Sequence, residues 1–131
     1  GDVYKRQFLS VRNTDKAYLE ELAKSLTNSG FELVATRGTA RDLENLGFKV
    51  KKINKVLEGR PHIVDLMKKK EINLVFNTTE GRESITDSAS IRRTALDQKI
   101  CSSTTIEGAR AICKVIENQV DWRVKKLQDI H

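Results

Sequence analysis

Apolar positions along this chain fall into short runs, separated by longer stretches in which they recur every three or four residues. Phe8–Val11, Phe31–Ala35, Ile72–Phe76 and Ile100–Cys101 are the runs, and each reads as a strand. Lys49-Val50-Lys51-Lys52-Ile53 alternates instead, which predicts a strand with one wet face at a sheet edge. Between the strands, Leu19, Leu22, Ala23 and Leu26 share one helical face, with Asp15 placed to cap it. Ala40, Leu43 and Leu46 share a second, with Thr39 as cap, and Gly30 and Gly47 are the stop signals of these two helices. Pro61 is placed to start a helix through Ile63, Leu66 and Met67. Asp87 or Ser88 caps one carrying Ile91 and Ala95, and Thr105 caps one carrying Ala109, Ile112, Cys113 and Ile116. Val120-Asp121-Trp122-Arg123-Val124 reads as a final strand or as a tail packed on the body.

Strands alternating with helices predict a three-layer α/β/α fold, a mainly parallel, Rossmann-like sheet of about five strands covered on both faces. The length of 131 residues suits one hydrophobic core. Residues 8–131 are read as that domain. Residues 1–7 are set apart as a linker or a cloning or sequencing artefact, because Asp2 to Gln7 reads like a translated transposon-derived adapter.

Composition narrows the function classes. No apolar run approaches the ~20 residues of a membrane span, and no signal-like start is present. The spacing of Cys101 and Cys113 fits no metal or redox motif, and both read as buried, reduced thiols of a cytoplasmic protein. A net charge of +6 favours an anionic partner. Aromatic residues are only 5%, too few for a stacking surface, so nucleic acid is not the expected anion. Lys68-Lys69-Lys70 reads as a solvated helix end, and His62 as structural.

In open α/β sheets, ligands bind outside the carboxyl ends of the strands. The segments that follow the strands hold Lys16, Thr36-Arg37-Gly38-Thr39, Lys55, Asn77-Thr78-Thr79 and Ser102-Ser103-Thr104-Thr105. Hydroxyls, amides, a glycine and lysines on one rim suit a phosphate. Thr36–Thr39 opens a helix, whose free N–H groups and dipole attract an anion, while Lys16 and Lys55 add compact charge.

Glu32-Leu33-Val34-Ala35-Thr36-Arg37-Gly38-Thr39-Ala40, Val56-Leu57-Glu58-Gly59-Arg60-Pro61-His62-Ile63, Asn77-Thr78-Thr79-Glu80-Gly81-Arg82 and Asp87-Ser88-Ala89-Ser90-Ile91-Arg92-Arg93 together resemble the methylglyoxal-synthase-like domain that closes carbamoyl-phosphate synthetase large subunits. The resemblance runs from Phe8 to nearly the end. It implies an allosteric domain, without catalysis or cofactor of its own, that binds a nucleoside monophosphate of the UMP or IMP type. Lys16, Thr36, Gly38, Thr39 and Lys55 match its phosphate-binding positions. Asn77, Thr78, Thr79 and Ser88 match positions lining the nucleotide pocket, and Thr104 matches a position at the edge of an ornithine site. The implied partners are the preceding domains of the same subunit and a small glutaminase subunit. The implied parent is an ATP- and magnesium-dependent, glutamine-using ligase of pyrimidine and arginine biosynthesis. No membrane or nucleic-acid partner is implied.

The same fold carries methylglyoxal synthase itself, so a stand-alone phosphate-handling enzyme is the alternative. That chemistry needs a carboxylate base and electrophilic histidines. Resemblance to the enzyme would demand His-Asp after the first strand and Asp-Pro after the fourth, where this chain has Val11-Arg12 and Asn77-Thr78. An arginine is no base at neutral pH.

Overall fold

The computed structural model describes the backbone of residues 5–78 and 82–129, and the side chains of these except 57, 82–87 and 119–129. In chain order the elements are β1 (Arg6–Ser10), α1 (Leu19–Asn28), β2 (Glu32–Ala35), α2 (Arg37–Asn45), β3 (Val50–Lys52), α3 (Ile63–Lys68), β4 (Leu74–Asn77), α4 (Arg82–Asp97), β5 (Cys101–Ser103) and α5 (Ile106–Asp129). A 3-10 helix (Asn13–Tyr18) precedes α1, and a short one (Val56–Glu58) follows β3. The strands form one five-stranded sheet in the order β3-β2-β1-β4-β5, every pair parallel. No helix among the described residues is long and apolar enough to cross a membrane.

Successive strand residues face opposite sides of a sheet, so each buried strand feeds two cores. Leu9, Leu33, Ala35, Leu74 and Phe76 meet α1, α2 and α5 through Leu22, Leu26, Leu43, Ala109 and Cys113. Phe8, Val34 and Val75 meet α3 and α4 through Ile63, Met67, Ile91 and Ala95. Phe8, Leu9, Leu22, Leu43, Ile63 and Phe76 are each at most 1% exposed. Burial at that level stabilises by about 1.5–3 kcal/mol per large side chain. These two clusters fill the two interfaces of the three layers expected from the alternation.

Chain direction changes where the glycines predict. Gly30 and Gly47 adopt φ of +90° and +93°, a left-handed conformation that a side chain disfavours. Each lets the following N–H turn back, Phe31 N to Leu26 O at 2.9 Å and Phe48 N to Leu43 O at 3.0 Å.

Several local expectations fail. Asp15 does not cap α1: it lies inside the intervening 3-10 helix, which moves the start of α1 to Leu19. Thr39 is not the cap of α2 but sits in its first turn, with Thr36 at the cap position. Pro61 lies one residue before His62, the true cap of α3. Ser88 and Asp87 fall inside α4, which begins at Arg82. In place of a final strand, α5 continues to Asp129. Cys101 is exposed, because β5 is an edge strand, while Cys113 is buried as expected. Arg6 and Gln7, set apart with the N-terminal segment, are the first residues of β1, and Gln7 is fully buried. Local side-chain chemistry cannot foresee these shifts, since each is decided by what the element packs against. Thr105 does cap α5, its Oγ1 accepting from Gly108 N at 3.1 Å.

Candidate functional site

β1 and β4 are neighbours at the centre of the sheet, yet their outgoing helices cover opposite faces. α1 joins the α2/α5 side and α4 the α3 side. The crevice this leaves above the carboxyl ends of β1 and β4 is where a doubly wound sheet accepts a ligand. The residues there are Ser10, Val11 and Arg12 from β1, Asn77 and Thr78 from β4, and Thr36 to Thr39 from β2 and α2.

A set of small hydroxyls joins these ends. Val11 N donates to Thr39 Oγ1 at 3.2 Å, and Arg12 N donates to Thr78 Oγ1 at 3.3 Å. Thr78 N donates to Ser10 O at 2.9 Å, and the Ser10 and Thr36 hydroxyls lie 3.4 Å apart. Ser10, Thr36, Thr39 and Thr78 are each at most 4% exposed, and Asn77 is 7% exposed. Asn77 Nδ2 donates to Ser88 Oγ at 3.2 Å, which ties Ser88 on α4 to the end of β4. A hydroxyl carries one proton and two lone pairs. Thr39 and Thr78 spend a lone pair on a backbone N–H, and each keeps its proton to donate.

The start of α2 is prepared in the same sense. Thr36 makes no side-chain capping bond, and the first turn holds no acidic residue. The N–H groups there lack a capping side chain, and the positive end of the helix dipole is uncompensated. A methyl group placed on Gly38 would meet no protein atom within 4 Å, and Gly38 lies outside the positive-φ conformations. Neither packing nor backbone strain requires a glycine there. Open space above the first turn is what it provides.

The cations are less gathered than the sequence implies. Lys16, half-buried, is ion-paired with Asp42 on α2. Asp42 was missed by the sequence reading, and a separation of 26 residues carries no local signal of the pair. Lys55 is exposed at the start of the 3-10 turn after β3, and its backbone N–H donates to Glu58 Oε1 at 2.7 Å. Among the described residues, its side chain makes no hydrogen bond with the threonines. Thr104 is exposed beyond β5, two strands from β1. Thr79 lies outside the described residues. Ser10 and the Val11 and Arg12 amides belong to the site but were not singled out; their position just after the first strand was the available signal.

Asp15 is the buried carboxylate of this rim, 5% exposed. It accepts from Arg12 Nε at 2.6 Å, a close charge-assisted bond that occupies it. Below the Lys55 loop, Asn54 bridges to His62, whose Nδ1 accepts from Asp65 N at 3.4 Å while His62 N donates to Asp65 Oδ2 at 3.1 Å. That last hydrogen bond holds the Asp65 carboxyl below its ordinary value, with the charges of His62, Arg60 and Lys69 acting in the same direction.

Residues 18–104 match the family model of the MGS-like domain. The chain is 52% identical over 124 residues to the carbamoyl phosphate synthase large chain of Pseudomonas aeruginosa. It is 48% identical over 127 residues to that of Halomonas eurihalina. These matches take in 95% and 97% of this chain but 12% of either relative. Among solved structures, a methylglyoxal synthase from Elizabethkingia anophelis NUHP1 superposes with a TM-score of 0.65 at 19% identity, over 84% of this chain and 77% of that one. ForH superposes with a TM-score of 0.56 at 18% identity, over 90% and 82% of the two chains. At these identities the structural likeness is one of fold.

Proposed function

The chain belongs to the MGS-like domain family, and from that premise we propose that it is the regulatory, nucleoside-monophosphate-binding domain of a carbamoyl phosphate synthase large chain. The observation that carries this is the arrangement above β1 and α2. Thr39 and Thr78 accept backbone N–H groups and keep protons to donate, beside a helix start with no capping side chain and open space at Gly38. Among the described residues, such a site offers several donors and no carboxylate free of an ion pair, which is what a phosphate dianion needs. Lys16 and Lys55 supply charge when the phosphate arrives, Lys16 by exchanging Asp42 for the ligand. On this reading Asn77, Thr78 and Ser88 would line the nucleoside side of the pocket, together with Thr79, which lies outside the described residues. UMP and IMP are the effectors this reading names.

The parent protein is then an ATP- and magnesium-dependent cytoplasmic ligase working with a small glutaminase subunit. This domain would act on the rest of the large chain by differential affinity for its active and inactive states. Thr104 would form the edge of an ornithine site only together with residues of another domain.

Calorimetry on this chain tests the reading directly. UMP should bind at least about tenfold more tightly than uridine, and IMP than inosine, since phosphate contacts dominate. Equal affinities for nucleotide and nucleoside would overturn it. Turnover of dihydroxyacetone phosphate by the purified chain would favour the enzyme instead. The Arg12–Asp15 bond argues against that outcome, because a carboxylate held by a guanidinium is a poor base.

A further inference from the structure

A second concave site lies on the other side of α2, turned away from the threonines. It is an open groove of about 370 Å³ between the outer face of α2 and the end of β3, lined by Arg37, Arg41, Glu44, Asn45 and Lys52. Arg37 and Arg41 are one helical turn apart, and both are exposed. Like charges at this spacing destabilise a helix. Arg37 is moreover the first residue of α2, where the helix dipole disfavours a cation.

The nearby carboxylates do not relieve this. Asp42 is bound to Lys16, and Glu44 to Lys52 at 3.3 Å. Among the described residues, neither guanidinium has an ion-pair or hydrogen-bond partner. Two planar forks, each with five N–H donors, therefore face one small cavity with their charge uncompensated. The geometry points to a second anion site here, distinct from the nucleotide site, that takes a small phosphorylated ligand carrying two or more negative charges. Phosphate rather than a lone carboxylate is favoured by the two forks, since each guanidinium pairs with two oxygens of one group and a polyphosphate offers two such groups. A groove of this volume suits a small molecule or a short phosphate chain. Glu44 would repel it, and Lys52 offsets that repulsion.

Inorganic pyrophosphate is the probe, titrated into the full chain at low ionic strength while backbone amide shifts of Arg41, Asn45 and Lys52 are followed. Saturating UMP is present, so that the site above β1 does not compete. Saturable shifts at these amides are expected, with the Arg37→Gln/Arg41→Gln double variant at least about tenfold weaker and its melting temperature no lower than that of wild type. Should the double variant fold poorly, Arg41→Lys keeps the charge but removes the fork, and it should weaken binding severalfold. Shifts that grow linearly and are matched by sodium chloride of equal ionic strength would overturn the proposal, as would saturable binding that both variants retain. Failure of UMP to bind would sink the regulatory reading but leave the pyrophosphate titration interpretable.

Discussion

The two ends of the same parallel strands are built on opposite principles. At the amino ends Arg6, Asn73 and Glu32 close on one another. Arg6 N donates to Asn73 Oδ1 at 3.0 Å, Asn73 N to Arg6 O at 2.9 Å, and Arg6 Nε to Glu32 Oε2 at 3.1 Å. At the carboxyl ends, Thr39 and Thr78 are anchored by backbone N–H groups and keep donor capacity, beside an uncapped helix start. A self-satisfied polar set is structural, whereas one that is held in place and left with donors is prepared for an acceptor. The difference separates two polar rims that composition alone would treat alike.

The sharpest way to break this comparison is Thr39→Val, which keeps the shape and removes the hydroxyl. UMP affinity measured by calorimetry should fall about tenfold or more, the scale of one charge-assisted bond. Stability should fall by about 1–3 kcal/mol in denaturant titration, because the Val11 N–H loses its partner. Lost stability with full UMP affinity would make Thr39 a purely structural bond, no different from those at the amino ends.

Asp42→Asn sharpens the comparison in the other direction. It releases Lys16 from its ion pair, so UMP should bind about threefold more tightly, roughly 0.6 kcal/mol, the scale of a partly exposed pair. Weaker binding would mean that Asp42 holds the lysine in its working position.

Arg6→Gln at the amino ends should leave the UMP affinity unchanged and cost no more than about 1 kcal/mol, since Glu32 is largely exposed. Any change in affinity would show that the two rims are coupled through β1.

The smallest effect concerns the thiols. Burial raises the Cys113 thiol above its ordinary 9.0. The folded chain thus keeps a proton that the unfolded chain releases. Stability from this source is intact below about pH 9 and is lost as the pH rises through the folded value. Melting temperatures taken from neutral to strongly alkaline pH should drop slightly more for wild type than for Cys113→Ala. Iodoacetamide should label the exposed Cys101 well before Cys113. Equal labelling would mean that α5 opens readily from the sheet.

Much of the fold was legible because it depends on periodicity. Phe8 and Leu9, or Leu22 and Leu26, announce their burial by spacing, and Gly30 and Gly47 announce the turns by being the residues that tolerate positive φ. The helix starts were less legible. Asp15, Thr39 and Ser88 are good capping residues, but all three are engaged elsewhere, with Arg12, Val11 and Asn77 respectively. A capping preference is worth about 1 kcal/mol, which a tertiary contact easily outweighs.

The sequence by itself determined the alternation of strands and helices, the basic charge, and which segments would lie on the carboxyl rim, because these follow from local pattern and from the rule that parallel strands need crossovers. Only the tertiary structure decided that β1 and β4 would be neighbours with helices leaving to opposite faces. Only it brought Thr39 to Val11 and Thr78 to Arg12, gave Lys16 to Asp42, and left Arg37 and Arg41 facing a cavity with no carboxylate to spare. These pairings join residues tens of positions apart, and local preference holds no information about them. They follow from strand order and register, which are settled when the whole core packs at once.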